Sequence, residues 1–357
     1  MISHWQSSVV TSRHQRTLTF PWQAPAGHVA RLREVLTTVT ARPGIPDWYE
    51  IPATVRKLHP DGIRAVIGYG SWYAEGPRKP TNFPDIYLVV DDYSRFHSNA
   101  FHAWMNRRLP PNVYFIWSDD ERPRRILGKY NVISWNDLEV ECGPQLRDVY
   151  NAGRLTKLVW LAWAWDEATR DGLTTRLVDA NCTLTPVALG SLPECFSNDS
   201  FSLELLGISY RGEPRLEGWE HLRALHAAGA QSYRELHGLL LDAFAKSTGL
   251  LEAVPDGFRK LAHPEWPELT RMTWRLLRRS RRRGYLRWPR IILTEPHLVD
   301  LAVGEAERKA GVHVKVTSKL RHHPFIFGLP EFLRVLRERA TRERIRKDQR
   351  SQPPNDR

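Results

Sequence analysis

The segment IRAVIGYGSWYAEGPRKPTNFPDIYLVVDD, residues 63–92, sets two apolar runs on either side of a turn. The first run, Ile63 to Ile67, breaks at Gly68, Gly70 and Ser71. Small residues there let backbone N–H groups come close to an anion, and the serine hydroxyl adds a donor. The spacing therefore predicts a strand that ends in a phosphate-holding turn. The second run, Ile86 to Val90, starts directly after Asp85 and closes in Asp91 and Asp92, which predicts a strand that pairs with the first and carries a carboxylate at its entry. A carboxylate in that place can hold Mg²⁺ against bound phosphates. Taken alone, the same residues also suit an ordinary hairpin turn and a strand cap.

The chain has 357 residues, a net charge of +12 and a pI near 9.8. That length permits two domains with a sizeable core. The charge points to an anionic partner: nucleic acid, nucleotide phosphates or an acidic membrane surface. Cys142, Cys182 and Cys195 are odd in number and far apart, which excludes a readable disulfide framework or cysteine zinc site. The longest apolar run, LVWLAWAW at 158–165, is far below the roughly 18 residues of a spanning helix, so the expectation is that nothing crosses a bilayer. The N-terminus, with Arg13 and Arg16 and no acids, reads as a poorly ordered start.

Outward from the central stretch, Val29, Leu32, Leu36 and Val39 recur at helical spacing and predict a helix over 28–40 that stops at Arg42-Pro43-Gly44. Residues 93–108 predict a helix with Phe96, Ala100 and Trp104 on one side, and VYFIW at 113–117 a strand. Residues 126–140 predict a strand that turns into a helix through Ser134. His97 is a candidate phosphate contact or proton carrier, and equally a helix histidine. Arg154 and Lys157, three apart, would share a helix face and offer two cations to a triphosphate; a solvated basic edge fits the same pair. FSLELLGISY at 201–210 predicts a strand with Ser202, Glu204 and Leu206 on one face. Glu204 and Glu213 are candidates for a second metal carboxylate, or surface acids paired with arginines. Helices are expected beyond Glu217, the last of them basic and aromatic through Arg278, Arg279, Arg281, Arg282, Arg283, Tyr285, Arg287, Trp288 and Arg290. Such a mixture suits lipid headgroups and nucleic acid alike. A closing helix from Pro330 places Phe332, Leu333, Leu336 and Ala340 on an apolar stripe beside arginines. His313, His322 and His323 lack a fourth ligand at metal spacing.

In order and wording these pieces resemble the mitochondrial CDP-diacylglycerol synthases of the Tam/Mmp type. Tyr69-Gly70-Ser71, the strand Asp85 to Asp92 and the segment around His97 and Ser98 carry the resemblance. So do Val132 to Ser134, Ala152 to Lys157, Leu192 to Phe196, Gly207 to Tyr210 and Gly212 to Arg215. It covers roughly residues 63–240. Trp72 stands where the family has a small residue and Glu213 replaces an aspartate; as in the family, the residue two after Asp85 is not acidic, and Tyr87 leaves no paired Asp-x-Asp.

The resemblance implies an α+β chain: a polymerase-β-like nucleotidyltransferase core at 24–152, a mainly helical domain at 153–262 with a winged-helix arrangement as one option, and a basic helical region at 263–357. The strand and turn over 201–215 are expected to face the active site. The implied activity is transfer of CMP from CTP to phosphatidic acid, giving CDP-diacylglycerol and pyrophosphate. Tyr69, Gly70, Ser71, His97, Arg154 and Lys157 would contact the nucleotide. Asp85 with Glu213 or Glu204 would hold Mg²⁺, and Asp85, Glu213 and Lys157 would carry catalysis. The expected setting is peripheral, on an anionic membrane face, cytoplasmic in a bacterium or on the matrix side in a mitochondrion, with no nucleic acid bound. A nucleotidyltransferase for a soluble or nucleic-acid acceptor and a non-catalytic basic binding protein are the competing readings.

Overall fold

The computed structural model describes residues 20–59, 61–70, 72–73, 84–117, 126–214 and 218–294, then 299, 303, 314–322, 326–328, 330–331, 333–335 and 337–338. It is an α+β structure built on a mixed five-stranded sheet. The strands are β1 (Ile63–Tyr69), β2 (Asp85–Val90), β3 (Asn112–Trp117), β4 (Ile126–Ser134) and β5 (Trp160–Ala164), in the order β3-β4-β2-β1-β5. β1 runs antiparallel to β2 and β5, β2 runs parallel to β4, and β3 closes the edge antiparallel to β4.

Both faces of the sheet are covered, which is why β1 and β2 read as near-continuous apolar runs. On one face Val66, Ile86, Leu88, Val90, Tyr130 and Val132 pack with Trp48, Ile51 and Val55 of α2 (Pro46–Leu58). On the other, Ala65, Ile67, Tyr69, Tyr87, Val89 and Ile133 meet a larger cluster. That cluster joins Leu32 and Leu36 of α1 (Ala26–Thr40) to the helices of the second half, as far as Leu277, so both halves share one core.

The predicted helix over 93–108 is two helices, α3 (Tyr93–Phe96) and α4 (Ala100–Arg108). Asp92 and Asn99 accept from Ser94 and Phe101 amides, and the second cap interrupts the first helix. Phe96 is buried and Trp104 exposed, so the three residues expected on one side do not share an environment. The turn at Ser134 is as expected: its hydroxyl caps α5 (Trp135–Cys142) at Asp137. A one-turn helix α6 (Ala152–Leu155) precedes β5.

Helix α7 (Glu167–Leu189) runs through the main core, its entry capped by Asp166. The stretch expected as a strand at 201–210 is instead helical: α8 spans Asn198–Arg211. Ser197 caps it, accepting from the Ser200 amide, and Phe201, Leu205 and Ile208 at i, i+4, i+7 point into the core. Helices α9 (Trp219–Ala228) and α10 (Ala230–Thr248) follow, the latter ending at Gly249 in the left-handed region. A small sheet of order β6-β8-β7 links Cys195–Phe196 to the hairpin β7 (Leu251–Val254) and β8 (Gly257–Lys260).

Helix α11 (Glu265–Thr294) is 30 residues long. Its arginines divide between two faces. Arg283 and Arg287 turn inward to Asp148, which is fully buried, with contacts of 2.5 and 2.8 Å. Arg287 also donates to the Pro110 carbonyl, and Arg290 to the Leu109 carbonyl and the Asn112 side chain. Ser280 accepts from the Val149 amide. These three arginines are therefore struts between α11 and the sheet, not part of a solvent-facing basic surface as the sequence suggested. Helix α12 (Ser318–His322) is the last continuous one described. Of the closing apolar stripe, Phe332, Leu336 and Ala340 lie outside the described residues, as do residues 1–19. No described helix is long and apolar enough to cross a membrane.

His237 of α10 is fully buried, its ring stacked on Tyr233 and its Nδ1 2.8 Å from the Ser202 hydroxyl. Burial lowers its pKa to about 3. The folded chain keeps this ring neutral while the unfolded chain protonates it below about 6.5. Stability from this group is complete above that value and falls as the pH drops toward 3. Between pH 7 and 5 the wild type should lose about 2 kcal/mol more than His237→Gln. Urea midpoints at the two pH values check this, and equal losses in both proteins would contradict it.

Candidate functional site

The β1–β2 register sets Tyr69 opposite Asp85. Just beyond, Gly70 has φ of +82°, and a Cβ there would lie 3.6 Å from Asp85 Oδ2. The acid thus lies directly against the turn. Gly68 has a different task from the one its sequence suggested. A Cβ on it would sit 2.8 Å from the Tyr73 ring, so its absence lets that ring lie on the strand and stack on Trp160. Ser71 lies outside the described residues. Trp72 is half-buried against the cluster on the α2 face of the sheet.

The parallel register of β2 and β4 pairs Asp85 with Lys129, Tyr87 with Asn131 and Val89 with Ile133. Side chains alternate along strands, so Tyr69, Asp85, Tyr87, Lys129 and Asn131 share one face. Lys129 Nζ is 2.5 Å from Asp85 Oδ1. Burial alone would lower the lysine's pKa, but the carboxylate beside it raises it overall, so the ammonium stays charged. Asn131 donates to the Tyr69 hydroxyl and accepts from Tyr150, and Tyr87 donates to Asn151 at 3.1 Å. Burial holds the Tyr87 phenol protonated, its pKa well above the usual value.

Behind this row stands Arg154. Its guanidinium makes a bidentate pair with Glu213, at 2.5 and 2.8 Å, and lies 3.5 Å from the centre of the Tyr150 ring. Arg287 also stacks on Tyr150, at 4.4 Å. Burial opposes the charge on Arg154, while Glu213 and the nearby tyrosines favour it strongly enough to raise its pKa well above normal. Arg154 also acts on Lys129, opposing its charge, which ties the two cations into one field. Glu213 reaches this spot because α8 ends at Gly212, where a Cβ would strike Val149 at 2.3 Å. Lys157, past the end of α6, donates to Ser209 at 3.2 Å and lies over Tyr210.

Several expected site residues stand apart. Glu204 pairs with Arg211 on its own helix, and Glu213 is held by Arg154. Among the described residues no group of three or more His, Cys, Asp or Glu side chains is placed to hold a metal ion. Among the described residues, Asp85 is the carboxylate that lies against the turn and could contribute to holding Mg²⁺. That donor set fits an ion arriving with nucleotide phosphates, which supply further oxygens, and does not build an all-protein cage. His97 sits on the far side of the sheet: its ring packs on Tyr114, which stacks on Tyr130, the residue between Lys129 and Asn131. Burial there, with His102 and His59 nearby, lowers its pKa to about 4, so it is neutral near pH 7. It is not beside Asp85.

The sequence reading missed Lys129, Asn131 and Tyr150. A signal for the first two was present: in GKYNVIS, at 128–134, a lysine and an asparagine alternate with Tyr130 and Val132 in a strand buried on both faces. A charge in such a place requires a partner. The arrangement as a whole is a corner in which a glycine turn meets two ion pairs, Asp85 with Lys129 and Glu213 with Arg154. In comparisons with known proteins, no family model and no curated protein matches this chain.

Proposed function

We propose that the chain is a nucleotidyltransferase that passes CMP from CTP to phosphatidate at a membrane surface, releasing pyrophosphate. The observation that carries this reading is the Asp85 carboxylate lying against the Gly70 turn with Lys129 and Arg154 in one field behind it. The resemblance around Tyr69 to Ser71 and Ala152 to Lys157 supports the choice of substrates. The pairing of β1, β2 and β4 is compatible with a polymerase-β-like core, and the β7–β8 hairpin beside helices with a winged-helix second part.

In this reading an oxygen of the phosphatidate phosphate forms a bond to the α-phosphorus of CTP. The bond from that phosphorus to the bridging oxygen breaks, and pyrophosphate leaves with the electron pair. The attacking oxygen is already anionic near neutrality, so no strong general base is required. The difficulty is bringing anions together. The Gly70 backbone and Lys129 receive the leaving phosphates, Arg154 and Lys157 steady the charge, and Glu213 positions Arg154 without touching substrate. Mg²⁺, when bound, would be held by Asp85 and would neutralise phosphate charge.

Labelled CTP offered with phosphatidate, and separately with tRNA or an oligonucleotide, tests the assignment of acceptor. Label is expected in the lipid phase and absent from nucleic acid; the reverse pattern would overturn it. The Lys129–Asp85 pair favours one second reading, an anion-binding protein without transfer chemistry, which predicts bound CTP and no pyrophosphate.

A further inference from the structure

The outer face of α11 has no role in the site described above. Trp274, Arg278 and Arg282 follow one another at i+4 spacing, and the next turn adds Tyr285 and Leu286. Trp274 is 55%, Tyr285 42% and Leu286 62% exposed. Arg278 and Arg282, with the adjacent Arg279, are exposed and make no ion pair among the described residues. By contrast, Arg271 and Arg275 are engaged by Glu268, and Arg281 caps α8 through the Arg211 carbonyl. The inward side of the same turns carries Leu276, Leu277, Ser280, Arg283 and Arg287. The helix is thus two-sided: one side braces the wall of the site through Asp148 and Tyr150, and the other shows solvent a row of arginines flanked by apolar groups.

We infer that this outer face docks onto an anionic lipid bilayer. Guanidinium groups match headgroup phosphates, while a tryptophan, a tyrosine and a leucine at the edges of the row match the interfacial layer beneath them. The residues from Trp274 to Leu286 span about 18 Å along the helix, enough to lie flat across several headgroups. Nucleic acid would satisfy the arginines and could stack the aromatics, but would leave Leu286 in water. The occupant is consistent with the proposed lipid acceptor. The claim deepens that reading, since α11 would set the site beside the surface in which phosphatidate resides.

The test uses the full chain and phosphatidylcholine vesicles with and without phosphatidylserine, so that binding of phosphatidate in the active site cannot imitate docking. Sedimentation should show binding only to the anionic vesicles. The triple variant Arg278→Gln, Arg279→Gln, Arg282→Gln should lose about a hundredfold in partitioning. Trp274→Ser with Leu286→Ser should also weaken binding, and both variants should melt as the wild type does, since all five side chains are exposed. Unchanged partitioning in the triple variant would overturn the inference. So would a wild type that prefers an oligonucleotide and loses that preference in the triple variant. Vesicle binding by a chain that makes no CDP-diacylglycerol would leave this surface standing and remove the transferase reading. Transfer to detergent-dispersed phosphatidate by a chain that ignores anionic vesicles would do the opposite.

Discussion

Replacing Asp148 with alanine is expected to destabilise the chain by about 3–5 kcal/mol, the range for removing one partner of a buried ion pair. The carboxylate is fully buried and faces Arg283 and Arg287, themselves mostly or almost fully buried. Burial pushes its pKa up, but the two guanidinium groups outweigh that and leave it below the usual carboxylate value. Without the acid, the two guanidinium groups lose their direct partner in a poorly solvated space and keep only the field of Glu141, which is itself paired with Arg147. The loss should be read from urea midpoints. Pairing Asp148→Leu with Arg287→Met should recover part of it, because apolar replacements of similar volume remove the desolvation cost of the charge as well as its partner. A loss below about 1 kcal/mol for the alanine variant would mean that α11 is not braced in this way.

Asp85→Asn is expected to lower CTP-dependent transfer at least a hundredfold, about 2.7 kcal/mol of transition-state stabilisation. Asparagine keeps the shape against Gly70 but removes the charge that steadies Lys129 and would hold the ion. Burial of Lys129 would then go unopposed by Asp85, and its pKa should fall. Retention of more than about a tenth of the activity would remove Asp85 from the chemistry, since a decade corresponds to only about 1.4 kcal/mol. Thermal melting controls for folding, because the pair is partly exposed and its loss should leave the structure intact.

The central hairpin was legible because both strands are apolar and bounded by turn residues, and Ser134 announced α5 through its cap. Two helices were not. In α8, the run Phe201 to Tyr210 alternates well enough to imitate a strand, and the deciding signal was Ser197 three residues before Ser200, a capping pair outside the run. In α7, Gly172, Pro186 and a series of threonines lower the intrinsic helix preference. Burial against the rest of the core decides it, with Asn181 and Thr185 satisfied by carbonyls one turn back.

The site was half legible for a related reason. Asp85, Gly70 and Arg154 stood out by type and neighbourhood. Pairing of β2 with β4 brings Lys129 to Asp85 across 44 residues of sequence, and that parallel register cannot be read from either strand alone. Charge left two readings open. Glu204 and Glu213 were candidates for a second metal carboxylate or acids paired with arginines, and in the fold each has an arginine as its partner. Likewise Arg283, Arg287 and Arg290 looked like a basic surface until the fold supplied Asp148 and the carbonyls of Leu109 and Pro110.

The most direct test follows the two ends of the nucleotide separately. The full chain is incubated with Mg²⁺, phosphatidate vesicles and CTP labelled at either the α or the γ phosphate. The account predicts that α label enters the lipid phase, γ label appears as pyrophosphate, and neither transfer occurs with Asp85→Asn. Label that stays in CTP with the wild-type chain, or moves equally well with the variant, would contradict it.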